Sequence, residues 1–372
     1  MPRPALVDRD HRPRRTGTER GRGMSVATTK TMTSTPFDAD PPGRGRQGSV
    51  RRRPFVVRNA RLLLAWVIFV ALFIVYYRQL EAFRPREART IANSGMTLVI
   101  AGFGQTIVIL TGGIDLSIGP LISLTNSVAS RIGDPDAPRS SMSLAAAAAL
   151  GIGALGGLIN GVLVAYGRLQ PIIVTLATAS IYGGIALAIR PDPGGTIPFE
   201  YTDLLTGLFW GDQVPRSLVV LAALVVTWSL FRRTRLCTRI YAVGSSEGAA
   251  YMSGVDVARA KVWAYTISGL SAGMAGLFYT AQTATGNALA GNVYTLNAIA
   301  AVVLGGASLA GGSGSFIGTV AGAYVIAIIP TVLFFYDVST FYQQFFQGLI
   351  LLASVSLGAL GVLRVRNRME RL

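Results

Sequence analysis

In the stretch QTIVILTGGIDLSIG, Gln105 to Gly119 of this 372-residue chain, Asp115 is a carboxylate set directly between apolar segments. A carboxylate in hydrocarbon costs about 2.5–3.5 kcal/mol on insertion scales, so it needs a partner or water. A simpler reading makes Thr111, Gly112 and Gly113 an interfacial turn, with Asp115 or Ser117 capping the next helix. Neither reading is catalytic. The residues other chemistry requires are sparse: His11 is the only histidine, Cys237 the only cysteine, and Lys30 and Lys261 the only lysines. No Ser-His-Asp or Cys-His set can be assembled, and no internal disulfide can form. Neither lysine follows the G-x-x-x-x-G of a phosphate-binding loop, so this chain does not hydrolyse ATP by itself.

The second stretch able to do work is Arg232 to Lys261, RRTRLCTRIYAVGSSEGAAYMSGVDVARAK. Six basic residues against Glu247 and Asp256 give 6 − 2 = +4. Such a segment cannot lie in hydrocarbon, and its arginines mark it as a cytoplasmic loop under the positive-inside rule. Ser245 to Met252 reads as a short helix with serine caps and Glu247 in its first turn, stopped at Gly254. A short helix between two apolar bundles is a place for another protein to dock.

The elements that position these stretches are membrane spans. Half the residues (51%) are apolar and 14% are charged, and several windows of about twenty residues carry no charge. The apolar runs give spans at 62–77, 91–110, 116–130, 142–166, 171–189, 216–231, 262–284, 294–310, 315–335 and 341–363, about ten in all. A net charge of +16 does not signal nucleic acid here, because the charges lie in the tail and loops, where topology places them.

Residues 1–58 differ from the rest: 14 − 5 = +9, rich in Pro, Gly, Ser and Thr. They predict a disordered, Arg-rich cytoplasmic tail, leaving 59–372 as the membrane domain with loop 232–261 inside it. Loop charges agree with cytoplasmic termini: 167–170 is +1 and 364–372 is +3, whereas 190–215 is −3 and 336–340 is −1. Loop 78–90 breaks the pattern, at +2 on the side predicted to be outside.

Small residues at helical spacing (Gly153, Gly157 and Gly161; Gly269 and Gly273; Gly318 and Gly322) predict tight helix contacts. Asn126, Asn160, Gln282, Asn287 and Asn297 lie in or beside spans, where they line a path or tie helices together, chiefly the latter. VILTGG (108–113) is echoed by VVLGG (302–306), a weak sign of an internal repeat.

Four segments, in order, resemble the sugar-type ABC importer permeases, the group of the ribose permease. These are VILTGGIDLSIG (108–119), GLINGVLVAYGRLQPIIVTLATASIYGGIAL (157–187), RIYAVGSSEGAAYMSGVDVARAKV (239–262) and LNAIAAVVLGGASLAGGSGSFIGTVAGA (296–323). The resemblance covers about residues 60 to 365; the tail is outside it. Related branched-chain amino-acid permeases share the architecture but generally lack GGIDLS, which favours a sugar-like solute. The resemblance implies an all-α, polytopic, type II-like permease in a bacterial inner membrane, half of a homo- or heterodimeric pore working by alternating access. It implies a cytoplasmic ATPase subunit that uses the ATP, a periplasmic or lipid-tethered solute-binding protein, and no cofactor bound by this chain. It carries the coupling-helix role onto Gly244, Ser245, Ser246, Glu247, Ala250 and Gly254. It marks Thr111, Gly112, Gly113, Asp115, Ser117, Gly305, Gly306, Gly311 and Gly312 as signature residues without assigning them a task. The alternative from another class, an ion-coupled secondary transporter, needs mid-membrane titratable groups, and Asp115 is the only candidate.

Overall fold

A computed structural model describes residues 60–80 and 82–339, together with 341–342, 345–346, 348–349 and 352. The tail 1–58, most of the tenth span 341–363 and the segment 364–372 lie outside the described residues.

The chain is helical almost throughout. The elements are α1 (Ala60–Arg78), α2 (Pro85–Ser94), α3 (Met96–Leu110), α4 (Ile118–Ile132), α5 (Pro138–Ala165), α6 (Pro171–Ile189) and α7 (Phe199–Thr206). They continue as α8 (Ser217–Phe231), α9 (Arg235–Ser245), α10 (Glu247–Met252), α11 (Val257–Thr283), α12 (Asn292–Leu304) and α13 (Phe316–Phe335). A two-residue hairpin, β1 (Leu208–Phe209) with β2 (Val214–Pro215), is the only paired sheet among the described residues.

Each of the first nine predicted spans falls on helix, although 294–310 is helical only as far as Leu304. Pro85–Leu110, Pro138–Ala165, Pro171–Ile189 and Phe316–Phe335 are long and apolar enough to span alone. α4 and α12, at 15 and 13 residues, reach only about 20–22 Å at 1.5 Å per residue. They follow or precede non-helical breaks at 111–117 and 305–315. Irregular backbone at membrane depth survives only where protein covers it, and most of 111–117 is buried.

The core is α3, of which every residue is buried. α11 crosses it and packs along α5 through glycine. A Cβ on Gly153 would strike the carbonyl oxygen of Gly269, one on Gly157 that of Tyr265, and one on Gly269 that of Gly153. The glycine stripes of α5 and α11 are therefore each other's partners; in the same way Gly322 meets Ala301 of α12, and Gly318 meets Gly305 just past its end. Small residues let backbones touch where no hydrophobic force between helices exists in lipid. α5 and α6 turn Leu155, Ile159, Ile173 and Ile181 outward, as a lipid-facing or subunit-facing surface requires.

The predicted loop 232–261 is largely helical. α9 was not anticipated, because four arginines in 232–239 read as solvated loop. Its Leu236, Cys237, Ile240 and Val243 nevertheless form an apolar face against the core. α8 and α9 meet at a bend of 77°, and α11 starts at Val257, ahead of the predicted 262.

At the opposite end, α7 and the hairpin cover the bundle. Asn93 Nδ2 donates to Thr206 O (2.9 Å) and Tyr201 Oη to Leu277 O (2.9 Å). Gly194 and Gly286 exchange backbone bonds of 2.9 and 2.8 Å.

Candidate functional site

Three chain segments meet where α9 ends. The amide of Gly312 donates to Leu110 O at 3.1 Å, and a Cβ on Gly244 would run into that same carbonyl. Gly311 and Gly312 have φ of +87° and +68°, a left-handed backbone that side chains rarely adopt. A Cβ on Gly311 would lie 2.8 Å from both the amide nitrogen of Gly112 and the carbonyl oxygen of Gly244. Tyr241 Oη adds a bond to Gly314 O (2.7 Å). The breaks 111–117 and 305–315, far apart in sequence, thus form one seat for the end of α9.

α10 stands on this seat. Ser246 is its N-cap, accepting from the Ala249 amide (3.3 Å), and Glu247 lies in its first turn, as the serine-cap reading predicts. Ser245 instead closes α9, with its hydroxyl on Tyr241 O (2.8 Å). Gly254 follows the helix, donating to Tyr251 O (2.9 Å). Asp256 caps α11 by accepting from the Arg259 amide (2.9 Å). Glu247 is engaged rather than free: Lys261 Nζ lies 2.7 Å from its Oε2. Ala250 is buried and anchors the helix from beneath.

The sequence reading missed the residues that protrude. Tyr251 is 72% and Met252 85% exposed, an aromatic and a thioether held out from a charged segment. Large apolar groups in such a segment were the available signal. Beside them lies a cleft of about 590 Å³, lined by Arg168, Pro171, Glu247, Tyr251, Asp256 and Lys261. Cys237 is buried on the inner face of α9; burial pushes its thiol up, with Arg232 opposing, so it is a packing group.

Asp115 lies deeper, 1% exposed. Its Oδ1 accepts from the amide (2.9 Å) and hydroxyl (2.6 Å) of Ser117, and its Oδ2 from Ser268 Oγ (2.8 Å) on α11. The turn expected at 111–117 is present, but the Ser117 hydroxyl is spent on Asp115 rather than on capping α4. Asn160 Nδ2 donates to Ser117 Oγ (2.7 Å) and Thr178 Oγ1 to Asn160 Oδ1 (2.7 Å). One hydrogen-bonded chain therefore ties the break to α5, α6 and α11. Asp115→Ala leaves the Ser117 and Ser268 donors without acceptor, at about 1–3 kcal/mol per stranded group. We expect a drop of several degrees in the thermal unfolding midpoint in detergent, with Asp115→Asn milder; an unchanged midpoint would remove the structural role.

Most other intramembrane amides also act as ties. Asn126 Nδ2 donates to Thr280 Oγ1 (2.8 Å) and its Oδ1 accepts from the Asn287 amide (2.7 Å). Thr97 Oγ1 donates to Gln282 Oε1 (3.1 Å). Gln105, fully buried on α3, has no partner for either amide atom among the described residues; sequence reasoning passed over it.

Comparison with known proteins places this arrangement. The family described as branched-chain amino acid transport system / permease component matches residues 88–355. The ribose import permease protein RbsC of Bacillus subtilis (strain 168) is 37% identical over 273 residues, 72% of this chain and 82% of that protein. The D-allose transport system permease protein AlsC of Escherichia coli (strain K12) is 34% identical over 273 residues, 72% of this chain and 81% of that protein. The autoinducer 2 import system permease protein LsrC of Escherichia coli (strain K12 / DH10B) is 31% identical over 302 residues, 80% of this chain and 86% of that protein. No solved structure matches this chain. With a buried helical core broken by glycine turns, and with relatives that are permeases along most of their length, this chain belongs to the branched-chain amino acid transport system permease family of multi-pass membrane proteins.

Proposed function

We propose that the chain is the permease subunit of an ATP-driven importer for a sugar or sugar-like solute in a bacterial inner membrane. The observation that carries this reading is α10: a short capped helix, exposed on its outer side and seated by Gly244 on the ends of both broken helix pairs. A cytoplasmic ATPase docks there, and its closure on ATP drives α9–α10 against Leu110 and Gly312. α3–α4 and α12–α13, joined at that seat, then shift as units, opening the bundle alternately to the two sides. ATP biases the two states only through its binding to the partner; this chain supplies the lever. The basic α9–α10 end faces the cytoplasm, together with both termini. The end covered by α7 receives a solute-binding protein, and a second permease copy, identical or related, completes the pore. The sugar class follows from the GGIDLS run and from the ribose and allose named for two relatives.

Reconstituted vesicles holding the permease, its ATPase and its binding protein test this reading. We expect uptake of a labelled pentose or hexose with ATP on the ATPase side, and none from an imposed proton or sodium gradient alone. Gradient-driven uptake without ATP would favour an ion-coupled transporter, for which Asp115, with both oxygens held by serines, offers no open site.

A further inference from the structure

Loop 78–90 carries more positive charge than its predicted side of the membrane explains, and the fold sets that charge beside an apolar crevice. The crevice holds about 290 Å³ and exposes almost no polar surface. Trp66, Phe69 and Phe73, at i, i+3 and i+7 on α1, form one wall; Ile91 and Ala92 of α2 and Tyr324 of α13 form others. The walls are braced. Trp66 and Phe69 pack edge to face at 5.7 Å, Phe69 meets Tyr324 at 5.9 Å, and Tyr324 Oη donates to Ala92 O at 3.0 Å.

Phe83 and Ala88 also line the crevice, and each is the chain neighbour of an arginine. Arg84, Arg86 and Arg89 are all exposed, as is Arg78 at the end of α1. Among the described residues none of the four is ion-paired; the pairs found there are Arg216–Asp203, Arg259–Asp256 and Lys261–Glu247. Glu87, the nearest described carboxylate in sequence, accepts from the Arg84 amide at 3.1 Å. α2 is amphipathic: Ala88, Ile91 and Ala92 line the crevice, whereas Arg86 and Arg89 on the same helix, and Arg84 just before it, are exposed.

We propose that this crevice is a binding site for one anionic phospholipid, its acyl chain between α1, α2 and α13 and its phosphate on Arg84, Arg86 and Arg89. An apolar slot gives no preference for one lipid over another, since bulk lipid offers a chain the same surroundings. Selectivity therefore comes from the headgroup, at about fivefold per arginine near an anionic surface. The three arginines together favour an anionic over a zwitterionic lipid by at least about twentyfold. The bound lipid fills the gap between α1 and the bundle and so fixes α1 against α13.

The full-length protein, purified in mild detergent and stripped of lipid, is titrated with phosphatidylglycerol or phosphatidylcholine, and retained lipid is counted by native mass spectrometry. We expect the wild type to prefer phosphatidylglycerol by at least about twentyfold. The exposed triple substitution R84Q/R86Q/R89Q should erase that preference while leaving phosphatidylcholine retention unchanged, and Ala88→Trp should lower retention of both lipids. Equal retention of the two lipids by the wild type, or a preference surviving the triple substitution, would overturn the proposal. So would displacement by free glycerophosphate, which would leave the crevice without a part. A wild type that retains no lipid and a dimer that dissociates on Ala88→Trp would assign the crevice to a second copy instead.

Discussion

Replacing Tyr251 with Ser and Met252 with Asp should abolish ATP-driven uptake while leaving the protein in the membrane at its normal level. Both side chains project from the end of α10 and are largely exposed, so folding loses little. The helix itself is held elsewhere, by the Ser246 cap, by buried Ala250 and by the Glu247–Lys261 pair. What is lost is an aromatic and a thioether able to fill a pocket on a partner, the kind of residue that dominates binding when desolvated. Affinity for the ATPase should fall by about a hundredfold, and uptake with it. Uptake measured in vesicles, normalised to inserted protein, checks this; unchanged uptake would remove α10 from the docking surface.

Gly244→Val separates transmission from docking. Its Cβ would occupy the position of the Leu110 carbonyl oxygen and crowd the Gly312 amide, 2.6 Å away. The Gly312–Leu110 hydrogen bond must then break and the two broken helix pairs must part at their joint. Overpacking of this kind costs about 1–3 kcal/mol, and the lost bond about 1 kcal/mol more. Because Tyr251 and Met252 are untouched, ATPase binding and hydrolysis should persist while uptake falls at least tenfold. Gly244→Ala should lie between wild type and valine. Coupled transport retained in Gly244→Val would mean that the α9 seat does not carry the motion.

What could be read from the sequence was what one segment decides alone. Pro171–Ile189 is helix over the range the apolar run gives, and Ser246 with Glu247 starts a helix as the cap pattern requires. The glycine stripes announced close contacts, though not that those of α5 and α11 meet each other. Contacts between distant segments were illegible: Ser268 is 153 residues from Asp115, and nothing local in either names the other. The same holds for Gly244, which the sequence places in the loop 232–261 but not against Leu110. α9 was missed for a different reason, its arginines masking an apolar face one helical turn deep. The runs 108–113 and 302–306 that echo each other each span a helix end, at Leu110 and Leu304, followed by a break.

We take α10 to be where a separate ATPase drives this permease. Affinity purification of the tagged full-length chain from gently solubilised membranes, alongside the Tyr251→Ser/Met252→Asp variant, tests it most directly. We expect an ATPase subunit to accompany the wild type and to be missing from the variant at equal permease recovery. An ATPase that remains bound to the variant, or a wild-type permease that moves solute with no ATPase present, would contradict it.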